Sequence, residues 1–350
     1  IEAKRDPKEL RNFNLSVLVS DEFMQAVKSD GEWPLCFPLL PDEQAEAVVE
    51  MAWPGYPQPV PCRIYNRVSA RGLWNSIMRA NYDMAEPGVL FIDRINRENN
   101  LHYQERIAAT NPCGEIPLPP YGACDLGSLN LTVYATEPFS DNAGFDRSRF
   151  LSDATTAVRF LDNIIDLSRF PFHSQQQQAR ATRRIGLGVT GLADLLMMLG
   201  MRDGDAASQE WVAQLFQSLR DEVYLASCDL ADEKGIFPVL IPEAYLESDF
   251  SKRLPEKIRN RIAQSGLRNS HLLAIAPTGT ISLLANNLSS GLEPVFDYSF
   301  QRSLHTERGE TALVQVEDFA WQAWRATGAT RRPRHFVTTG EVTPGDHLAI

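Results

Sequence analysis

Segments with the patterns of strands and helices alternate along the chain, and this alternation limits the folds that it can adopt. Residues 12–19 alternate as a strand does, and Ser20 then offers a cap for a short helix that ends near Gly31. The apolar positions in 73–82 repeat at helical spacing, and residues 89–92 follow as a buried strand. This order favours an α/β architecture over a sandwich or a helical bundle.

The second half of the chain continues the same pattern. Residues 150–170 and 208–234 predict two long amphipathic helices that serve as core-facing scaffold, the first with apolar positions that end at Leu167. Residues 272–276 are a short apolar run that Pro277 ends, which is typical of a strand that delivers a loop to a site. No stretch is long enough for an interdomain linker, so we expect residues 1–350 to form one undivided domain.

Composition excludes several classes of protein. No run approaches the roughly 18 to 20 apolar residues of a membrane helix, and the net charge of -11 argues against general affinity for nucleic-acid backbones. Five cysteines without a CxxC pair indicate a reducing, cytoplasmic setting. The chain begins at Ile1 without a targeting segment, and we expect it to be part of something longer.

The densest group of chemically useful residues is Asn111, Cys113 and Glu115. In an extended loop, residues two positions apart point to the same side, so a carboxamide, a thiol and a carboxylate would converge on one small molecule. The flanking prolines would restrict that loop. The alternative is that Cys113 is a small buried residue and Glu115 a surface charge.

The sequence around this group resembles the active-site loop of ribonucleotide reductases, and most closely that of the adenosylcobalamin-dependent class. The resemblance rests on Asn-Pro-Cys-Gly-Glu at 111–115, on 117–131 after it, and on 12–17, 86–93, 184–188 and 276–282. It implies a ten-stranded α/β barrel with a central finger loop that carries the catalytic Cys113, incomplete at both ends.

The resemblance also implies roles for these residues. Cys113 becomes a transient thiyl radical that removes hydrogen from the ribose 3′ carbon, and a deoxyadenosyl radical from adenosylcobalamin oxidises the thiol. Glu115 acts as general base on the 3′ hydroxyl, and Asn111 orients the sugar as the 2′ hydroxyl leaves as water. Cys124 is one member of the redox pair, whose partner lies upstream of this chain. Cys62 and Cys228 are expected to be packing residues.

A second site is implied by Ala276, Pro277, Thr278, Gly279, Thr280 and Ser282. A strand that ends in a glycine-containing loop with three hydroxyls can bind phosphate through N–H groups and hydroxyls, although an ordinary turn is the alternative. Within the resemblance this loop binds the substrate's phosphates. Lys4 and Arg5 resemble part of a specificity loop that relays effector identity, or else belong to a solvated terminus.

Two further patterns are weaker. Residues 186–191 match GxGxxG, but the preceding residues do not form a hydrophobic strand, so a dinucleotide site is disfavoured and close helix packing is the expected use of the glycines. The six histidines show no metal-ligand spacing, and we infer no metal site built by this chain.

The resemblance implies reduction of ribonucleoside di- or triphosphates to 2′-deoxyribonucleotides. Its partners would be a nucleoside triphosphate effector, a thioredoxin- or glutaredoxin-like reductant and, as a homodimer, a second copy. Three alternatives stay open: the large subunit of a diiron-dependent reductase, a noncatalytic nucleotide-binding fragment or piece of a split enzyme, and a cysteine hydrolase that uses Cys113.

Overall fold

The computed structural model describes residues 1, 3–6, 9–10, 13–53, 56, 58–305 and 311–350. Asn12, the first residue of the predicted 12–19 strand, lies outside these residues. The fold divides into two compact units. The first contains residues 1–123, 171–178 and 241–254, and the second contains 124–170, 179–240 and 255–350. A single undivided domain over residues 1–350 stays a prediction.

Residues 1–123 contain short strands and three α-helices within the described part. The strands are β1 (Ser16–Val19), β2 (Glu32–Pro38), β3 (Val48–Met51), β4 (Val60–Ser69), β5 (Gly88–Phe91), β6 (Ala109–Thr110) and β7 (Pro117–Leu118). The helices are α1 (Asp21–Lys28), α2 (Ala70–Met84) and α3 (Ile92–Arg97), with a 3-10 turn at Ala3–Arg5.

The rest of the chain is richer in helix. Its described strands are β8 (Asp125–Asn130), β9 (Ala135–Thr136), β10 (Gly144–Phe145), β11 (Ile185–Thr190), β12 (Ser299–His305) and β13 (Thr311–Glu317). Its helices are α4 (Arg147–Leu167), α5 (His173–Thr182), α6 (Leu192–Met198), α7 (Ala206–Lys234), α8 (Pro242–Leu246), α9 (Asp249–Lys252), α10 (Glu256–Ser265), α11 (Gly279–Leu284), α12 (Phe319–Ala326) and α13 (Pro344–Ala349). Short 3-10 turns lie at Leu131–Tyr134 and Thr339–Glu341.

The first unit confirms the strand–helix and helix–strand order read from its sequence. β1 pairs in parallel with β5, from Ser16 opposite Gly88 to Val19 opposite Phe91. The Ser20 hydroxyl accepts a hydrogen bond from Phe23 N at 3.1 Å, which caps α1 as predicted. The antiparallel sheet β2-β4-β3 was not predicted, because prolines within β2 argue against a strand.

The second unit is built around β11, which is buried at every position and pairs in parallel with β8. The predicted long helices are α4 and α7, which pack against each other. Leu167 is 81% exposed, so the predicted core-facing face of α4 does not extend to its last residue. Among the described residues, no helix is both long and apolar enough to cross a membrane.

The predicted strand at 272–276 is an extended segment with a single β-bridge, between Leu273 and Leu187. Leu187 N donates to Leu272 O at 2.8 Å, and Ala274 N donates to Leu187 O at 3.1 Å. The segment therefore runs beside β11 and leads into the 276–282 loop, as the pattern predicted, without a full ladder.

Gly186 and Gly188 of the GxGxxG match lie inside β11, and Gly191 lies directly before α6. Their expected use in helix packing was wrong for Gly188. A Cβ built on Gly188 would lie 2.2 Å from Ala274 O, so this glycine lets the backbone of the 272–276 segment approach the strand.

We expect Gly188→Ala to lower the free energy of unfolding by about 1–3 kcal/mol, because the contacting atom is backbone that cannot move aside alone. Urea unfolding followed by circular dichroism measures the change. Gly340→Ala is the matched control, since a Cβ there meets no atom within 4 Å. Equal stability of the two variants would contradict the close approach.

Candidate active site

The loop that carries Cys113 closes the two-stranded hairpin of β6 and β7. Ala109 lies opposite Leu118 and Thr110 opposite Pro117. Gly114 N donates to Asn111 O at 3.1 Å, so residues 111–114 form a β-turn with Cys113 at its third position.

This turn corrects the extended loop assumed from the sequence. Asn at the first position, Pro at the second and Gly at the fourth are preferences of a type I turn, a signal that could have predicted it. Gly114 has a φ of 94°, which glycine adopts without strain. The side chains of Asn111, Cys113 and Glu115 are therefore held in one closed loop, and not on one face of an extended strand.

Asn111 closes the loop with its own side chain. Its Oδ1 accepts a hydrogen bond from Ile116 N at 2.9 Å, and its backbone N donates to Ile116 O at 3.2 Å. The carboxamide oxygen is thus occupied by the loop, which leaves the two N–H donors of Asn111 to bind a ligand.

Cys113 and Glu115 differ in exposure. The Cys113 thiol is exposed and is not in a disulfide, so a small molecule can reach it. Glu115 has one buried carboxylate oxygen, Oε2, with no hydrogen-bond partner among the described residues. A buried acceptor without a partner is rare in proteins and indicates a place for a donor from outside the chain. The alternative of a buried Cys113 and a surface Glu115 was wrong.

Cys124 is the first residue of the second unit and precedes β8. It is half-buried, and its Sγ donates to Asp125 O at 3.7 Å. Cys62 and Cys228 are buried, as packing residues are, and burial is the main cause that raises the pKa of Cys228 to about 12.

The 276–282 segment of the second unit was predicted as a loop, but its second half is helical, because Gly279, Thr280 and Ser282 lie in α11. We keep the name 276–282 loop for these residues, which use most of their own hydroxyls. The Thr190 hydroxyl donates to Ser289 O at 3.0 Å, so the 2.9 Å contact between the Thr190 and Thr278 hydroxyls must be donated by Thr278. Thr278 Oγ1 also accepts from Gly291 N at 2.9 Å, and Ser282 Oγ donates to Gly279 O at 3.1 Å. Of the three predicted hydroxyl ligands, the exposed one is Thr280.

A cavity of about 580 Å³ lies beside this loop. Gly279 and Ser282 line it, together with residues of the 287–297 segment, Arg302 and Asp318. Sequence reasoning missed this lining. The small polar run at 287–291 was a signal that could have pointed to it, because such runs form turns with available amides.

Lys4 and Arg5 are held by ion pairs, and not free as in a solvated terminus. Lys4 Nζ lies 2.8 Å from Glu86 Oε2, and Arg5 lies 3.2 Å from Asp83. The hydrogen bond from Lys4 is the main cause that lowers the pKa of Glu86. Within the described residues, no group of three or more His, Cys, Asp or Glu side chains could hold a metal ion.

Comparison with known families matches residues 1–335 to a family model described as ribonucleotide reductase, barrel domain. The chain is also similar to a vitamin B12-dependent ribonucleoside-diphosphate reductase of Mycobacterium tuberculosis (strain CDC 1551 / Oshkosh). The two are 37% identical over 298 residues, which cover 85% of this chain and 37% of the relative.

Two further relatives extend the comparison. A vitamin B12-dependent ribonucleoside-diphosphate reductase of Thermoplasma acidophilum is 36% identical over 306 residues, or 87% of this chain and 34% of the relative. A ribonucleoside-diphosphate reductase large subunit of Danio rerio is 28% identical over 328 residues, or 89% of this chain and 40% of the relative. The chain spans about a third of the length of the two B12-dependent relatives.

Proposed function

Because the chain belongs to the family of ribonucleotide reductase barrel domains, we propose that the full-length protein reduces ribonucleotides to 2′-deoxyribonucleotides for DNA synthesis and repair. The observation that carries the proposal is the exposed Cys113 thiol, held at a hairpin turn between Asn111 and Glu115.

Adenosylcobalamin is the cofactor that the names of the more similar relatives suggest. When bound, it would supply the one-electron oxidation that turns a cysteine thiol into a thiyl radical. The residue that receives this oxidation must be reachable from outside the chain. Cys113 fits, since both it and Pro112 are exposed at the turn.

The three loop residues would divide the work on the ribose. As a thiyl radical, Cys113 would remove the hydrogen atom from the 3′ carbon and return one when reduction is complete. Glu115 would take the proton of the 3′ hydroxyl, and its unpartnered Oε2 supports that role. The N–H donors of Asn111 would hydrogen-bond the sugar as the 2′ hydroxyl takes a proton from one thiol of the redox pair and leaves as water.

The two electrons that replace the 2′ hydroxyl by hydrogen would come from a pair of thiols that ends as a disulfide. Cys124 would be one of them, and a segment outside this chain would supply the other. A thioredoxin- or glutaredoxin-like dithiol would then reduce the disulfide again. This chemistry suits the reducing cytoplasm, where we place the protein.

The 276–282 loop would bind the substrate's phosphates through the Thr280 hydroxyl and backbone amides. Thr278 and Ser282 would act by shaping the loop, because their protons are already donated, to Thr190 of β11 and to Gly279 O. Lys4 and Arg5, tied to Asp83 and Glu86, would belong to the specificity loop that senses a nucleoside triphosphate effector. A homodimer is the assembly that we propose.

The test is deoxyribonucleotide formation by the full-length protein with a dithiol, in the presence and absence of adenosylcobalamin. Product that requires the cobalamin supports the proposal. Product without it would favour the diiron-dependent class instead. No product under either condition would favour a nucleotide-binding fragment or a split enzyme.

We expect Glu115→Gln to lower kcat by about 10²–10⁴-fold with little change in KM, because the amide fills the same space but cannot accept the 3′ hydroxyl proton. Initial rates over a range of nucleotide concentrations measure both constants. Glu46→Gln, at an exposed position of the first unit, is the control for an acid-to-amide change elsewhere. A rise in KM at constant kcat would instead make Glu115 a binding residue.

A further inference from the structure

The second unit contains two buried aspartates that the proposed mechanism does not use. Asp194 lies in α6 and is fully buried, and Asp318 caps α12 and is 2% exposed. Asp194 Oδ1 accepts from Ala320 N and Asp318 Oδ1 accepts from the next amide, Trp321 N, so the two carboxyl groups are neighbours, and each shifts the pKa of the other. Two carboxylates in such contact cannot both be ionised away from water, so the pair holds a proton.

The hydrogen bonds assign that proton to Asp318. Each oxygen of Asp194 accepts a backbone N–H, from Ser289 at 2.6 Å and from Ala320 at 3.0 Å, as an ionised carboxylate does. Asp318 accepts from Trp321 N through Oδ1, at 2.9 Å. Its other oxygen is therefore left to carry the proton that is donated to Asp194.

The pair is connected to the 276–282 loop by a continuous chain of hydrogen bonds. Asp194 and Ser289 are joined by two hydrogen bonds: Ser289 N donates to Asp194 Oδ2, and Asp194 N donates to the Ser289 hydroxyl at 3.3 Å. Ser289 O accepts from the Thr190 hydroxyl, and Thr190 in turn accepts from Thr278. Gly291 N then closes the path by donating to Thr278.

We propose that the Asp194–Asp318 pair positions the substrate's phosphates, by holding the Ser289–Gly291 turn so that Thr190 and Thr278 fix the shape of the 276–282 loop. The inference rests on the proposed function of that loop. Asp194 and Asp318 are positioning residues, because the ligand would touch the loop and not the carboxyl pair.

The protonation state of the pair is set by its surroundings. Burial raises the pKa of both groups, and the neighbouring charge of Asp194 raises the pKa of Asp318 further. The titratable group beside the pair is Tyr298, with Arg332 over its ring at 5.7 Å and Glu341 paired to Arg332. Glu293, Asp297 and Arg302 face the same cavity as Asp318.

The direction of the pH effect follows from this raised pKa. A group that binds its proton more tightly in the folded state stabilises that state below its unfolded pKa, and the contribution is lost as the pH rises through the folded pKa. Deprotonation of Asp318 would place two buried charges in contact, so the turn at 289–291 should loosen at alkaline pH.

Two amide variants separate the roles of the aspartates. Asp318→Asn keeps an acceptor for Trp321 N and a donor for Asp194, and it cannot titrate. Asp194→Asn must turn an NH₂ group towards either Ser289 N or Ala320 N, which are both donors. The first variant should preserve the network, and the second should break it.

The experiment uses the full-length protein, with nucleotide KM and kcat and with hydrogen exchange of the 278–291 peptide from about pH 7 to about pH 10. In Asp194→Asn we expect KM to rise at least about tenfold with kcat within about twofold, and exchange to be faster at least about tenfold. In Asp318→Asn, KM and the rate of hydrogen exchange should both match those of the wild-type protein at neutral pH. The alkaline loss of protection in the wild type should be absent from this variant.

Thr190→Val removes the Thr190 hydroxyl from the chain of hydrogen bonds without changing either aspartate, and it should also raise KM. This variant replaces Asp194→Asn in the test if Asp194→Asn does not fold. Unchanged KM and exchange in Asp194→Asn, or equal damage in Asp318→Asn, would overturn the proposal. If the wild-type protein makes no deoxyribonucleotide, the proposed function fails. Even in that case, hydrogen exchange of the 278–291 peptide tests whether the Asp194–Asp318 pair holds the Ser289–Gly291 turn.

Discussion

Replacing Cys113 with serine should abolish deoxyribonucleotide formation by the full-length protein, with turnover at least about 1,000-fold lower. The proposed reaction needs a side chain that loses and regains a hydrogen atom. A serine O–H bond is much stronger than a thiol S–H bond, so serine cannot form the radical that would remove hydrogen from the ribose. Product formation with adenosylcobalamin and a dithiol measures the effect.

The loss of turnover should come from the missing radical chemistry and not from a change in stability. The turn is held by bonds between Asn111, Gly114 and Ile116, and the exposed Cys113 side chain is not part of them. The free energy of unfolding should therefore change by less than about 0.5 kcal/mol. Cys36→Ser, the same substitution at a half-buried cysteine in the first unit, should leave turnover intact. Turnover that survives Cys113→Ser would exclude the thiyl mechanism.

The same variant also addresses the cysteine hydrolase that the sequence left open. A hydrolase would cleave a thioester without cobalamin, and Cys113→Ser would remove that activity instead. Both reactions depend on Cys113, so the substrate that is consumed, and not the loss itself, decides between them.

The spacing of apolar residues predicted the helices and the strand whose buried positions follow a regular local pattern. The apolar spacing of α2, α4 and α7 and the short apolar run of β5 correspond to helices and a strand in the structure. Local turn chemistry would also have predicted the Asn111–Gly114 turn, had Asn and Gly been weighed as turn residues. The period of a strand did not predict this loop because the segment contains a proline and a glycine, which favour a turn.

Long-range polar contacts could not be predicted in this way. Asp194 and Asp318 are 124 residues apart, and each resembles a helix-terminal or surface aspartate in its local sequence. Their burial depends on which elements pack together, which no local pattern reports. For the same reason, the sequence could not predict that the Thr278 hydroxyl is already hydrogen-bonded, because its partner Thr190 lies in β11.

Replacing Asp162 with asparagine should lower the free energy of unfolding by about 3 kcal/mol or more, because it leaves buried cations without their main counter-charge. Asp162 is fully buried in α4 and lies 2.7 Å from Arg183 and 3.3 Å from Arg268. Lys234 lies at 3.5 Å, and Asn269 donates to Oδ1 at 3.1 Å. Asparagine has nearly the same size, so the loss would report charge and not volume.

Asp166→Asn supplies the matched control one turn further along α4. Its carboxylate also pairs with Arg183, at 2.7 Å, but its side chain is 50% exposed, so water can replace the lost partner. We expect a loss of no more than about 1 kcal/mol there. Urea unfolding of both variants measures the difference. Similar losses would mean that Arg183 depends equally on both acids. A loss in Asp162→Asn alone would show that this buried acid anchors Arg268 and Asn269. From these two residues the chain continues into the 272–276 segment and the 276–282 loop.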